Sequence, residues 1–240
     1  MEYVAIEVNT QTATFRIPEF QNFHKSFTLP PPTTLMGLAG AAMGLSPGKT
    51  QEFFDASIFE LGVTGVSKGR SRDLWKYRKL KSGGYISDII TRDVLFFNTF
   101  YIGYGSEDKK FINSLLSAFR SPVYAITLGA SDSLARVTIL EEIEIAESNE
   151  LTGCILAGNI IKEVLENSNN NCEFSIYSSR EPICYDLPVR FRYTSDYGIR
   201  SVEKRGEFSF IGKPMKLNVF KKGIKVKDVF IPLFRLGQQN

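Results

Sequence analysis

The sequence is poor in the residues on which most catalytic sites are built. It has one histidine, His24, so the usual supplier of an acid or base near neutral pH is almost absent. Its three cysteines, Cys154, Cys172 and Cys184, are odd in number and fall in no C-x-x-C spacing. That argues against a disulfide framework and against a zinc knuckle, and it fits a reducing compartment. No G-x-x-x-x-G-K-[ST] loop, G-x-S-x-G elbow or H-E-x-x-H helix is present. Glu141, Glu142 and Glu144 read as a solvated strand edge rather than a metal cluster. Nucleotide hydrolysis and metallonuclease chemistry are therefore disfavoured, and no metal or other cofactor is expected. No uncharged apolar run reaches the roughly 20 residues of a bilayer span. The N-terminus, MEYVAIEVNT, lacks a basic region followed by a long apolar one. The expected location is cytoplasmic, with no membrane partner.

What is present points to sheet. Aromatic residues reach 12%, with 19 Phe and 10 Tyr, which disfavours an all-helical chain. At 240 residues the chain is long enough to fold without covalent staples, as one large or two small domains. The net charge of +3 says little about partners, so its distribution matters more. Met1 to Ser67 holds three basic and six acidic residues, whereas Lys68 to Lys81 holds seven basic residues against one Asp. Arg180 to Asn240 holds thirteen against six. A polyanion would prefer these last two stretches.

Along the chain, Tyr3 to Ile17 reads as a strand, bent or divided near Asn9. Pro30, Pro31 and Pro32 form a stiff extended approach, after which Thr33 or Thr34 can cap a helix through TTLMGLAGAAMGL. The many Gly and Ala residues of that helix imply close packing, and its N-terminus offers free amides to a phosphate. A short helix over 49–56 and a strand over 57–66 follow. The chain then runs through KGRSRDLWKYRKLKSGG, with Gly83 and Gly84 at the tip of a long hairpin, and returns in an aromatic strand over 93–104. An amphipathic helix is expected over 108–119, with Phe111, Leu115, Leu116 and Phe119 on one face, and a strand over 123–128. That order of strands and helices is the ferredoxin-like pattern, also the topology of the RNA recognition motif, although the aromatic sheet signature of that motif is missing. The expected class is α+β, with a ferredoxin-like domain over 1–137 carrying an inserted β-hairpin. A small antiparallel β-rich part over 138–240 follows, containing runs such as FSIYSS, LPVRFRY, EFSFIG and MKLNVF. Residues 167–171 read as a polar surface loop.

The stretch from Lys68 to Lys81 carries the sharpest functional signal. Lys68, Arg70, Arg72, Lys76, Arg78, Lys79 and Lys81 are interleaved with Trp75 and Tyr77. That arrangement pairs phosphate-neutralising charge with flat rings on which bases stack. On an extended strand, alternation puts Lys76 and Arg78 on one face and Trp75, Tyr77 and Lys79 on the other. The bland reading, a solvated hairpin anchored by its two aromatics, stands beside the functional one.

The segment ATFRIPEFQNFHKSFTLPPPTTLMGLAGAAMG, from Ala13 to Gly44, resembles the signature of the Cas-five family, a branch of the RAMP superfamily. TLGASDSLA, from Thr127 to Ala135, resembles a second segment of that family, in the expected order with the basic hairpin between. The resemblance covers residues 1–136. It implies a thumb hairpin over 68–92 and a subunit that grips the hooked 5′ handle of the guide RNA in a type I CRISPR complex. Its partners would be that handle, the first backbone subunit, the large subunit and, through the complex, target DNA. Thr33 and Thr34 at the helix start, and Ser131, Asp132 and Ser133 in a loop, would face the handle. Lys25 and Arg92 complete the set of expected RNA contacts.

One branch of the family also cuts precursor RNA without metal, through a Tyr, Lys and His arrangement in which the 2′-hydroxyl attacks the neighbouring phosphate. Here His24 and Lys25 lie before the first helix, not well after it, so the resemblance carries over no catalytic residue. The expected function is non-catalytic, with a metal-independent endoribonuclease at His24 and Lys25 as the alternative. A protein-interaction scaffold whose basic hairpin pairs with an acidic subunit is a third reading.

Overall fold

The computed structural model describes residues 1–20, 22–81, 84–167, 182–194 and 199–236, the side chains of 79–81 and 164–167 excepted. Its elements in order are β1 (Glu2–Ala13), β2 (Phe23–His24), α1 (Pro32–Met43), α2 (Pro47–Asp55), β3 (Phe59–Lys81) and β4 (Gly84–Ser106). They continue with α3 (Lys109–Arg120), β5 (Ala135–Leu140), β6 (Ile143–Leu151), β7 (Cys154–Ala157) and α4 (Ile160–Asn167). The last are β8 (Ile183–Tyr193), β9 (Arg200–Ile211), β10 (Met215–Val226), β11 (Val229–Pro232) and β12 (Phe234–Arg235). The class is α+β, dominated by antiparallel sheet. The run FSIYSS, over 174–179, and most of 167–171 lie outside the described residues.

The main sheet has the order β5-β1-β4-β3-β7-β9-β8, with β2 added beside β4 and β12 beside β3. Helices α1 and α2 lie in the chain between β1 and β3, and α3 lies between β4 and β5. On one sheet face Val4, Ile6 and Val8 of β1, Leu61 and Val63 of β3, and Phe100, Ile102 and Tyr104 of β4 pack with Leu35 and Leu38 of α1 and Phe111 and Leu115 of α3. The buried Tyr104 hydroxyl donates to the Leu35 carbonyl at 2.8 Å. The alternate residues face a second sheet, of order β11-β10-β6. There Ala5 and Leu140 pack with Ile224, Val226 and Ile231. The helix-free face of these central strands is therefore covered at the level of Ala5 and Leu140, which removes that part of it as an open platform for bases.

Two local expectations are corrected. The N-cap of α1 is Pro31, at φ −66° and ψ 163°, and Pro32 is the first helical residue, so Thr33 and Thr34 lie inside the first turn. Proline's fixed φ and missing N–H suit the first turn, and Pro31 needs only extended backbone to precede it. Residues 123–128 do not form a strand. Their backbone bonds go elsewhere: the Val123 N–H to the Ala42 carbonyl at the end of α1, and the Leu128 N–H to the Ser133 carbonyl. Ile126 and Leu128 are buried, which is why the segment reads as a strand, but the place beside β1 is filled by β5, with Ala5 opposite Leu140 and Thr10 opposite Ala135.

A discontinuity crosses the three central strands at one level. The ladder passes from Thr10–Asn98 to Thr12–Phe96 and from Ser67–Asn98 to Gly69–Phe96, skipping Gln11, Phe97 and Lys68. Phe97 there has φ +52°. On the far side the alternation inverts. Ala13 and Leu95 join the helix-side core, whereas their parity in the preceding stretch would send them to the other face.

Two glycines of α1 make opposite predictions. A Cβ on Gly40 would sit 2.0 Å from Oγ1 of the buried Thr50 on α2, while one on Gly37 would meet nothing within 4 Å. Gly40→Ala should destabilise the fold by about 1–3 kcal/mol, and Gly37→Ala should stabilise it by about 0.4–1 kcal/mol. Thermal melts of the two variants should shift in opposite directions.

Candidate nucleic-acid interface

The β3–β4 ladder is unbroken in register from Phe59 opposite Ser106 to Lys81 opposite Gly84. The expected hairpin is thus the outward continuation of two sheet strands. β1 leaves β4 at Ala13 opposite Leu95, and beyond it β4 is joined, among the described residues, by the parallel β2 at Thr91 and Arg92. The ribbon carries the alternation its sequence dictates. Trp75 and Tyr77 stack with ring centroids 6.0 Å apart and planes 28° apart, while Leu74, Lys76 and Arg78 alternate with them along β3.

The basic residues of this ribbon differ in their partners. Arg70 donates to the Ser26 carbonyl at 2.9 Å and to the Asp93 carboxylate. Asp93 is buried and also accepts from the Ser26 N–H, and the Ser26 Oγ accepts from the Phe15 N–H at 2.8 Å. Arg70 is thereby committed to pinning the loop between β1 and α1 onto the sheet. Arg92 donates to Asp73 at 3.2 Å and to Asp132 at 3.1 Å, and its guanidinium lies 5.7 Å from the Trp75 ring centroid. Two carboxylates offset its charge, which leaves it a poor phosphate ligand. The Arg72 guanidinium lies 5.2 Å from the Phe23 ring. Lys68, Lys76 and Arg78 are exposed and make no hydrogen bond or ion pair among the described residues. The Lys79 side chain lies outside the described residues.

The fold brings several distant candidates to the base of this ribbon. Thr12, Thr14, Arg72, Arg92, Asp132 and Ser133 line a cavity of about 300 Å³. Asp132 reaches it through Arg92, and Ser133 through its hydroxyl, 3.1 Å from that of Thr12. Ser131 is exposed in the same turn. The His24 ring lies 5.9 Å from that of Trp75. Burial, then the charges of Arg16 and Arg92, hold the His24 imidazole below its ordinary pKa, so it is neutral at physiological pH. Lys25 does not line this cavity, and its Nζ lies 5.0 Å from the Phe20 ring. Thr33 and Thr34 do not join this cluster. Thr33 lines a separate groove of about 310 Å³ with Gly37, Tyr124, Phe191, Tyr193 and Arg200. Among the polar members of the cluster, Thr12, Thr14 and Asp73 were not expected from the sequence. Asp73 is the one acid in the basic run, and that was the available signal.

Chemically, the ribbon offers exposed cations and stacked rings, and its base offers a small polar cavity with balanced charge. Among the described residues no three His, Cys, Asp or Glu side chains group to hold a metal ion. Burial pushes the Cys154 thiol up to about 12, so it is no nucleophile at neutral pH. Among the described residues no helix is long and apolar enough to cross a membrane.

No family model matches the sequence. No curated protein matches it either. Solved structures do share its fold. A chain of a CRISPR RNA-guided surveillance complex is 11% identical, with TM-score 0.54 over 90% of this chain and 91% of that one. A chain of the type III-B Cmr-beta complex, determined with cognate target RNA and AMPPnP, is 10% identical, with TM-score 0.50 over 88% and 86%. A crystallised Cas protein is 15% identical at TM-score 0.35, and the match spans 54% of this chain and 57% of that one.

The two groups of cations predict separable variants. Asp93→Ala should destabilise the protein by roughly 2–3 kcal/mol, less than a fully buried pair because Arg70 is partly exposed. Arg78→Ala should change stability by less than about 0.5 kcal/mol. Denaturant melts giving equal losses for both would contradict this division.

Proposed function

We propose that this chain is a non-catalytic RNA-binding subunit of a type I CRISPR surveillance complex, seated on the 5′ handle of the guide RNA. The observation that carries the reading is the projecting β3–β4 ribbon, which combines Lys68, Lys76 and Arg78, unpaired among the described residues, with the stacked Trp75 and Tyr77. Single-stranded nucleic acid is held by that combination of backbone-tracking charge and stacking surface. The order β5-β1-β4-β3, with helices following the first and third of these strands in the chain, supports the reading of a ferredoxin-like domain whose thumb is the ribbon. The shared fold with chains of two CRISPR assemblies supports the same reading.

In this reading the ribbon tracks the handle backbone, and the 300 Å³ cavity at its base meets bases rather than phosphates, because Asp73 and Asp132 offset Arg92. Backbone and large subunits would cover the exposed apolar residues of the ribbon, Leu74, Tyr85 and Ile89. Catalysis is not part of the proposal. His24 is the single histidine, and the Nζ of its neighbour Lys25 lies 5.0 Å from the Phe20 ring, which favours the non-catalytic reading.

The test is a gel shift of the purified chain with labelled repeat RNA in EDTA, run beside a denaturing gel. Binding without shortening of the RNA is the expected result. Cleavage at one position would replace the proposal with the processing endonuclease, and no preference for repeat RNA over random RNA would replace it with a protein scaffold. Neutralising Lys68, Lys76 and Arg78 together as Gln should weaken binding and reduce the slope of log affinity against log salt by about 2, at ~0.7 per phosphate contact on a single strand.

A further inference from the structure

Phe97 is worse placed than a glycine would be, in both backbone and side chain. Its φ of +52° lies in the left-handed region, where a bulky side chain is disfavoured and glycine is free. Phe97 is 63% exposed in the middle of β4, a strand otherwise well packed at that depth, and its ring makes no contact with another aromatic ring among the described residues. Backbone strain of this kind persists where the surrounding structure enforces it, and it clusters at binding sites.

The surroundings indicate what the ring is held out to meet. At the same level of the sheet, β1 presents Gln11 and β3 presents Lys68, both exposed. The rows on either side, Thr10–Asn98–Ser67 and Thr12–Phe96–Gly69, contain no acid. Lys68 has no ion pair among the described residues, in contrast to Arg92 with its two carboxylates. An exposed ring with an unopposed cation on the adjacent strand matches the chemistry of one nucleotide, its base on the ring and its phosphate on the ammonium.

We infer that Phe97 is a base-stacking platform at the root of the ribbon, and that with Lys68 it seats one nucleotide of single-stranded RNA. The inference rests on the RNA-binding function proposed above and extends the contact surface from the ribbon to the sheet itself. The inversion of side-chain alternation at this row is then what turns the ring outward.

The test uses the full chain, an end-labelled single-stranded oligoribonucleotide of mixed sequence, and a salt titration. Phe97→Gly should lower affinity roughly tenfold with an unchanged salt slope, because no phosphate contact is lost. The same substitution should raise Tm by about 2–4 °C by relieving the backbone. Phe97→Trp should retain affinity, and Lys68→Gln should reduce the salt slope by about 0.7. Affinity of Phe97→Gly within about twofold of the parent would overturn the inference, and so would a fall in its Tm, which would assign the ring to the fold. Loss of association with a neighbouring protein subunit at unchanged RNA affinity would overturn it in favour of a protein contact. If the Lys68, Lys76 and Arg78 triple variant loses binding while Phe97→Gly does not, this inference fails and the proposed function stands. If the unaltered chain binds no RNA, both fail.

Discussion

The continuous antiparallel pairing of β3 with β4 is the constraint on which the rest depends. In its first half the ladder is the centre of a seven-strand path, bounded by β1 on one side and β7 on the other. In its second half the same two strands leave the body of the protein as a ribbon. Register is unchanged from one end to the other, so every ribbon residue keeps the cross-strand partner that packing deep in the sheet sets, while the inversion at Phe97 resets which face its side chain takes. Burial of Leu61, Val63, Phe100 and Ile102 against α1 and α3 holds the two strands in that register, and with it the pairing of Trp75 with Ile90 and of Arg78 with Ser87. A ribbon of two strands is marginal alone, and here it inherits its geometry from the sheet behind it.

Charge on this ribbon is divided by burial. Asp93 sits where water is excluded, so its carboxylate needs a cation and backbone donors, and Arg70 and the Ser26 N–H supply them. Arg92, mostly covered, is answered by Asp73 and Asp132 and lies against Trp75. The cations left unanswered are those the ladder carries past the end of β1 or onto an exposed face. One basic run thus supplies both the clasp that fastens the loop around residue 26 and the surface that faces an anion.

How much of this the sequence disclosed differs by element. The hairpin, its tip near Gly84 and the alternation of Trp75 and Tyr77 with Lys76 and Arg78 were legible, because they follow from a period of two over a long β-forming run. Helix α3 was legible from Phe111, Leu115, Leu116 and Phe119, and the structure adds Asp108 as its cap. Residues 123–128 were misread, since burial of Ile126 and Leu128 gives the same pattern in a covered loop as in a strand. The commitment of Arg70 was hidden because Asp93 lies 23 positions away, and the cavity at the ribbon base was hidden because Thr12, Arg92 and Asp132 come from three distant segments.

Sequence alone determined the sheet-rich class, the basic hairpin with its interleaved aromatics, and the scarcity of catalytic groups, all of which depend on residue type and short-range spacing. Tertiary structure decided which cations are free, which candidates meet at the ribbon base, that Thr33 lines a different groove, and that Phe97 stands exposed on a strained backbone. These depend on which strands lie side by side and where water is excluded, and both are set by contacts between residues far apart in the chain.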